Sequence, residues 1–258
     1  MAYYICRGGW PKAIGRSKKV ALAQAPDYYD GLVESDISRV DGVERDSDRT
    51  KKVLKAYARS VASEATIVSL LDDVRGGQND AFSETTMRSY ISALRKLFVI
   101  EDSPAWNPNL RSKTAIRSSD TRYFVDPSIA TAALGIGPND LINDLATMGL
   151  LFENMCIRDL RVYSQAIDGS VYHYRDKNGL ECDAVVHLRN GRYGLVEVKI
   201  GGDKAIEEGA KNLLKLYNRL DYDKMYKPSF MMVLCAVAPF AYRRSDDVMV
   251  VPVDCLRD

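Results

Sequence analysis

Histidine is scarce in this sequence: the 258 residues hold only His173 and His187. A histidine-centred triad or a His-rich metal site is therefore not expected, and any catalysis must lean on carboxylates, lysine, serine or tyrosine. Cysteine is also sparse. Its five residues (Cys6, Cys156, Cys182, Cys235, Cys255) are odd in number, widely spread and form no Cys-x-x-Cys pair. Neither a disulfide framework nor a zinc knuckle follows from that spacing. No run approaches the ~18–20 apolar residues of a membrane span, and the start lacks the apolar stretch of a signal peptide. The expectation is a cytoplasmic protein with no membrane partner. The sequence also lacks G-x-x-x-x-G-K-[S/T], so no phosphate cradle for ATP is expected.

What is present describes a folded α/β chain. Hydrophobic residues make up 46% and charged residues 28%, enough for a sizeable core and too apolar for wholesale disorder. The net charge of +1 hides a segmental pattern. Residues 83–125 carry 7 Lys/Arg against 4 Asp/Glu, whereas residues 126–199 carry 7 against 10. A basic stretch beside an acidic one fits a nucleic-acid contact next to an acidic, metal-binding site; it also fits ordinary solvated faces.

Three segments follow from periodicity. Residues 1–62 read as helical, with Pro11 and Pro26 as interruptions and Gly8-Gly9 as a turn. Residues 63–125 read as a helix ending at Gly76-Gly77, then a helix capped by Ser83 with Met87, Ile91, Leu94, Leu97 and Phe98 on its apolar face. The run Arg122–Asp126 reads as a strand. Helix, turn, basic helix and basic hairpin is the order of a winged helix-turn-helix, in which Arg88, Arg95, Lys96, Arg111, Lys113 and Arg117 would contact DNA. Residues 126–258 change character. A helix over Leu145–Tyr163 precedes strands at Val171–Arg175, Cys182–Leu188 and Arg192–Ile200. A helix at Lys204–Leu220 and strands at Phe230–Val237 and Val248–Val253 complete the order, with the three successive strands as an antiparallel meander.

Chemistry concentrates on Glu153, Asp183, Glu197 and Lys199. Glu197 and Lys199 stand two apart on a strand and share a face. If Arg189-Asn190-Gly191 is a three-residue loop, Leu188 pairs with Arg192 and Asp183 falls opposite Glu197, on that same face. A two-residue loop would oppose Asp183 to Val198 and separate the carboxylates. Two converging carboxylates need a cation, and hard oxygen ligands select Mg²⁺ or Mn²⁺. Lys199 would then orient a water or stabilise developing negative charge, and Glu153 would support from the preceding helix. On its own, Glu-x-Lys in a strand describes no more than an exposed face with an ion pair. Tyr172, Tyr174 and Tyr193 could stack on bases but read more readily as packing, and Asn212 and Lys215 could reach a phosphate but read more readily as a solvated helix face; His173 and His187 read as structural, Trp10 and Trp106 as anchors.

The runs Leu151-Phe152-Glu153-Asn154, Tyr172 through Asp183, and Val196-Glu197-Val198-Lys199 together resemble the DUF4143 region. That region forms the carboxyl-terminal part of a large prokaryotic ATPase family and is similar to the PD-(D/E)xK nuclease superfamily. Gly8-Gly9-Trp10-Pro11, Asp36-Ile37, Ser83–Phe98 and Arg122–Asp126 resemble segments of the same proteins. The resemblance implies an α-β-β-β-α-β, restriction-endonuclease-like core preceded by a winged helix. Asp183, Glu197 and Lys199 take the places of the D…ExK motif, with Asp183 and Glu197 as metal ligands, and Glu153 takes the place of a first-helix acid. It implies domains at 1–62 (helical remnant of an ATPase), 63–125 (winged helix) and 126–258 (nuclease-like). The phosphate loop of those ATPases is missing, so the chain reads as a truncated or stand-alone carboxyl-terminal piece that does not use ATP. The function expected is a Mg²⁺-dependent DNA nuclease. The alternative is a DNA- or protein-binding module on a degenerate nuclease fold, or an ATPase-family fragment.

Overall fold

The computed structural model describes residues 1–76, 82–108 and 119–257. These fall into two compact units, one of Met1–Asp102 with Thr121–Asn154, the other of Ser103–Asp120 with Met155–Asp258.

The first unit is helical. It contains α1 (Ala2–Arg7), α2 (Lys18–Gly31), α3 (Ser47–Arg59), α4 (Ile67–Arg75), α5 (Glu84–Lys96), α6 (Pro127–Leu134) and α7 (Pro138–Asn143). Helix α8 (Leu145–Gln165) starts in this unit, and the chain changes unit within it. Three starts are capped as their residue types demand: Asp46, Thr66 and Ser83 each accept the N–H three residues on. Helix α4 ends at Gly76 in the left-handed conformation. Pro26 does not interrupt α2, contrary to the sequence expectation, and the helix runs through it. A proline lacks one backbone donor, and here the flanking turns continue without that bond.

The strand expected at Arg122–Asp126 is reduced to a bridge between Ile100 and Phe124. Its missing neighbour is a side chain. The Asn154 amide accepts from the Phe124 N–H at 3.1 Å and donates to the Phe124 carbonyl at 2.7 Å, as an adjacent strand would. The Gly8-Gly9-Trp10 motif is explained by the same unit. The Gly9 N–H donates to Asp126 at 2.8 Å and the Trp10 indole donates to Ser128 at 2.9 Å. A Cβ on Gly8 (φ 71°) would fall 2.3 Å from the Ser128 hydroxyl, so glycine is required there.

The second unit is built on a six-stranded sheet in the order β1-β2-β3-β4-β6-β5. The strands are β1 (Gly169–Arg175), β2 (Glu181–Leu188), β3 (Tyr193–Gly201), β4 (Phe230–Val237), β5 (Tyr242–Arg243) and β6 (Met249–Pro252). The first three form the expected antiparallel meander. β4 and β6 run parallel to β3 and to each other, and the short β5 pairs antiparallel at the edge. A parallel neighbour needs a crossover, and α9 (Asp203–Arg219) supplies it between β3 and β4. Its Ile206, Ala210, Leu213 and Leu216 are buried in one cluster with Val185, Leu195, Val233 and Trp106. The other edge of the sheet is partly covered: Pro104 and Trp106 exchange backbone hydrogen bonds with His173 on β1.

Candidate functional site

The β2–β3 register decides whether the site exists. Ala184 opposes Val196, Val185 opposes Leu195 and His187 opposes Tyr193. The Leu188 N–H donates to Arg192 at 2.8 Å, closing the three-residue turn. One further step in this register sets Asp183 across from Glu197. There the ladder gives way to a side chain: the Val198 N–H donates to Asp183 Oδ2 at 2.7 Å. The Asp183 carboxylate is thus fixed on the β3 backbone rather than left on a solvated face.

Asp183, Glu197 and Lys199 meet. The Lys199 ammonium lies 2.8 Å from Glu197 Oε2 and 3.6 Å from Asp183 Oδ2. Glu197 is 2% exposed. Burial, with the Asp183 charge adding to it, pushes its carboxyl up to about 7, and Lys199 and Asn212 hold it back from rising further. The buried thiol of Cys182 is pushed well up by desolvation and then by the two carboxylates. It is a weak donor to the backbone oxygens of Ala184 and Val196, not a nucleophile.

Asn212, read from the sequence as a solvated position, has a role at the site that sequence reasoning missed. Its amide donates to Glu197 Oε1 at 2.7 Å and to the Glu181 carbonyl at 2.7 Å, so it is not on a merely solvated face. A polar residue at the middle of an amphipathic helix, three after the buried Gly209, was the only available signal. Gly209 brings the helix close: a Cβ there would lie 3.2 Å from Val233, 3.4 Å from Glu197 Cβ and 3.5 Å from Lys199 Cγ.

The β1–β2 turn is also tied down. Asp176 accepts from the N–H groups of Asn178 and Leu180, and Arg219 at the end of α9 lies 3.1 Å from its other oxygen. The turn that precedes Asp183 is thereby anchored to the same helix that carries Asn212.

The remaining candidates lie in the first unit or outside the described residues. Glu153 accepts from the Tyr123 hydroxyl at 2.5 Å within the first unit. Arg88 pairs with Glu84 at 2.6 Å, Arg95 with Asp102 at 2.5 Å, and Lys96 with Asp41 at 3.9 Å. Arg111, Lys113 and Arg117 lie outside the described residues.

The donor set at Asp183 and Glu197 is all hard oxygen, which suits Mg²⁺ or Mn²⁺ rather than zinc. Among the described residues no group of three or more His, Cys, Asp or Glu could hold a metal. A divalent ion would thus depend on two carboxylates, its other positions being open to water or to a phosphate oxygen. Lys199 would have to yield the space between them.

The family model described as a domain of unknown function, DUF8612, matches residues 1–140, more than half of the chain. A second one, likewise described as a domain of unknown function, DUF4143, matches residues 148–256. No curated protein matches the chain. No helix among the described residues is long and apolar enough to cross a membrane.

Proposed function

We propose, for a chain that belongs to the DUF8612 family and carries a DUF4143 domain, that the second unit is a PD-(D/E)xK-type, metal-dependent DNA nuclease. The observation that carries the reading is the convergence of Asp183, Glu197 and Lys199 on one face of the β2–β3 hairpin. The order α8-β1-β2-β3-α9-β4 supports it, since it is the α-β-β-β-α-β order of that superfamily. Asp183 and Glu197 would hold Mg²⁺ or Mn²⁺, which when bound polarises a phosphodiester and lowers the pKa of a water. Lys199, released from the carboxylates, orients the attacking water or stabilises the charge that develops on the phosphate. Asn212 keeps Glu197 in its rotamer and tied to β2. DNA affinity would come from the first unit, where α4 and α5 supply the two helices of a winged helix-turn-helix and Arg88, Arg95 and Lys96 lie on the second. In the free protein those three cations face acids, so DNA would have to displace Glu84, Asp102 and Asp41.

A second reading is a non-catalytic binding module on the same scaffold. It is favoured by the hydrogen bonding of Glu197, whose two oxygens are already taken by Lys199 and Asn212. Cleavage of supercoiled plasmid, single strand and branched junction with Mg²⁺, Mn²⁺ or EDTA separates the two. Cutting that needs metal and falls by about 10²-fold or more in Lys199→Ala and Asp183→Asn supports the nuclease. No cutting on any substrate supports the binding module, and cutting equal to wild type in both variants removes Asp183 and Lys199 from the chemistry.

A further inference from the structure

The turn end of the β2–β3 hairpin forms one wall of a hollow of ≈ 330 Å³, lined by Asn190, Arg192, Tyr226, Lys227 and Ser229. It is separate from the carboxylate pair: Arg192 stands five residues from Glu197, ~17 Å at the strand rise of ~3.4 Å per residue.

The chemistry of the hollow is one-sided. Its lining offers a guanidinium, an ammonium, an amide and two hydroxyls, and no carboxylate. Among the described residues the Arg192 guanidinium and the Ser229 hydroxyl have no hydrogen bond or ion pair, and neither does Arg189 on the same turn. The Lys227 ammonium lies only over the Tyr222 ring, at 5.8 Å from its centroid. The acids of the neighbouring loop do not line it, and Asp221 is already paired with Lys224 at 2.5 Å. A second hollow in this unit, ≈ 430 Å³ at the start of α9, is unlike it. There Arg244 is tied to Glu207 at 2.7 Å and Asp246 at 2.9 Å, so its charge is answered within the protein.

The walls are held in place. The buried Tyr193 hydroxyl donates to the Tyr226 carbonyl at 2.8 Å, and the Ser229 N–H donates to the Tyr193 carbonyl at 2.7 Å. The Arg192 N–H donates to Asn190 Oδ1 at 3.0 Å. One edge of the Tyr226 ring lies beside Gly191, while the residue as a whole is 66% exposed. An exposed aromatic ring on a tethered backbone, beside two cations with no carboxylate partner, is the pairing that recognises a base and its phosphate.

We propose that this hollow binds a nucleotide unit, with Arg192 and Lys227 on the phosphate oxygens, Asn190 and Ser229 completing the hydrogen bonds, and the base on Tyr226. The unit comes either from a nucleic-acid strand or from a free nucleotide, and the site stands whether or not Asp183 and Glu197 cut. The test uses the full chain in EDTA, so that no cleavage enters the readout. One arm follows the anisotropy of a fluorescein-labelled twelve-residue oligothymidylate as salt is raised. The other measures thymidine monophosphate and thymidine by calorimetry. The Arg192→Gln/Lys227→Gln double variant is expected to weaken oligonucleotide binding about tenfold and to lower the log–log salt slope by about 1.4, ~0.7 per phosphate contact. Tyr226→Ala is expected to weaken it about fivefold, with Tyr226→Phe near wild type. Loss for the oligonucleotide alone identifies a strand; an equal loss for thymidine monophosphate, with thymidine unbound, identifies a free nucleotide. The variants alter exposed side chains, and unchanged circular dichroism shows that the fold is kept. Unaltered affinity and slope in the double variant, or no binding of either phosphate probe by the wild type, would overturn the proposal.

Discussion

At the scale of the residue, Glu197 is the most consequential side chain. Its folded-state carboxyl is raised to about 7, above the ordinary carboxylate range, by burial and by Asp183. A raised value means that the neutral form suits the fold. The stability linked to this group is fully present below the unfolded value near pH 4.5 and is lost as pH rises through about 7. Glu197→Gln should therefore gain in unfolding free energy relative to wild type as pH rises from 5 to 8, by about 3 kcal/mol at most, as read from urea unfolding. A difference that does not vary with pH would contradict this assignment of the charge. Asn212 is expected to act through Glu197. Asn212→Leu should cost about 1–2 kcal/mol in urea unfolding, because it leaves the Glu181 carbonyl and one Glu197 oxygen without their shared donor.

At the scale of the element, the hairpin and α9 set the site. Side chains alternate across a strand, so a one-residue slip reverses every face of β2 relative to β3. Deleting Ala184 should force that slip on the start of β2, moving Asp183 opposite Val196 and taking Cys182 out of its buried place. The expected result is loss of cooperative unfolding in the second unit, visible in near-ultraviolet circular dichroism, rather than a folded protein with a displaced carboxylate. Helix α9 approaches β3 at Gly209, with no room for a branched side chain against Val233 and Glu197. Gly209→Val should destabilise by about 1–3 kcal/mol through overpacking, despite valine's better helix propensity, as read from the urea midpoint.

At the scale of the whole molecule, each unit has its own polar fastening and its own reporter. In the first unit Asp102 receives the Tyr57 hydroxyl of α3, Arg95 of α5 and Arg122 of the chain before α6. The Arg122 side chain is 7% exposed and the Asp102 side chain 4%. Asp102→Ala leaves a buried guanidinium without its carboxylate, which costs about 3–5 kcal/mol. Trp10 belongs to the first unit and Trp106 to the second. In a Trp106→Phe background, Asp102→Ala should therefore shift the Trp10 fluorescence transition to lower urea. An unmoved Trp10 transition would show that the cluster is not what fastens this unit.

Much of the second unit is legible in the sequence because its signals are local. Apolar alternation marks β2, short apolar runs bounded by turns mark β3 and β4, and the helical stripe of α9 has one apolar side. A three-residue reading of Arg189-Asn190-Gly191 places Asp183 opposite Glu197, but a two-residue reading was equally open until the tertiary register chose between them. Arg122–Asp126 and Asn212 were misread for a common reason. Their partners are far away in sequence: Asn154 stands in for a strand beside Phe124, and Glu181 and Glu197 receive the Asn212 amide. Two-residue β5 has too little periodicity to be read at all. The sequence by itself determined the longer helices and strands of the second unit and which acids and lysine are available. Only the tertiary structure decided which of them meet, because pairing register, helix approach and burial depend on contacts between residues distant in the chain.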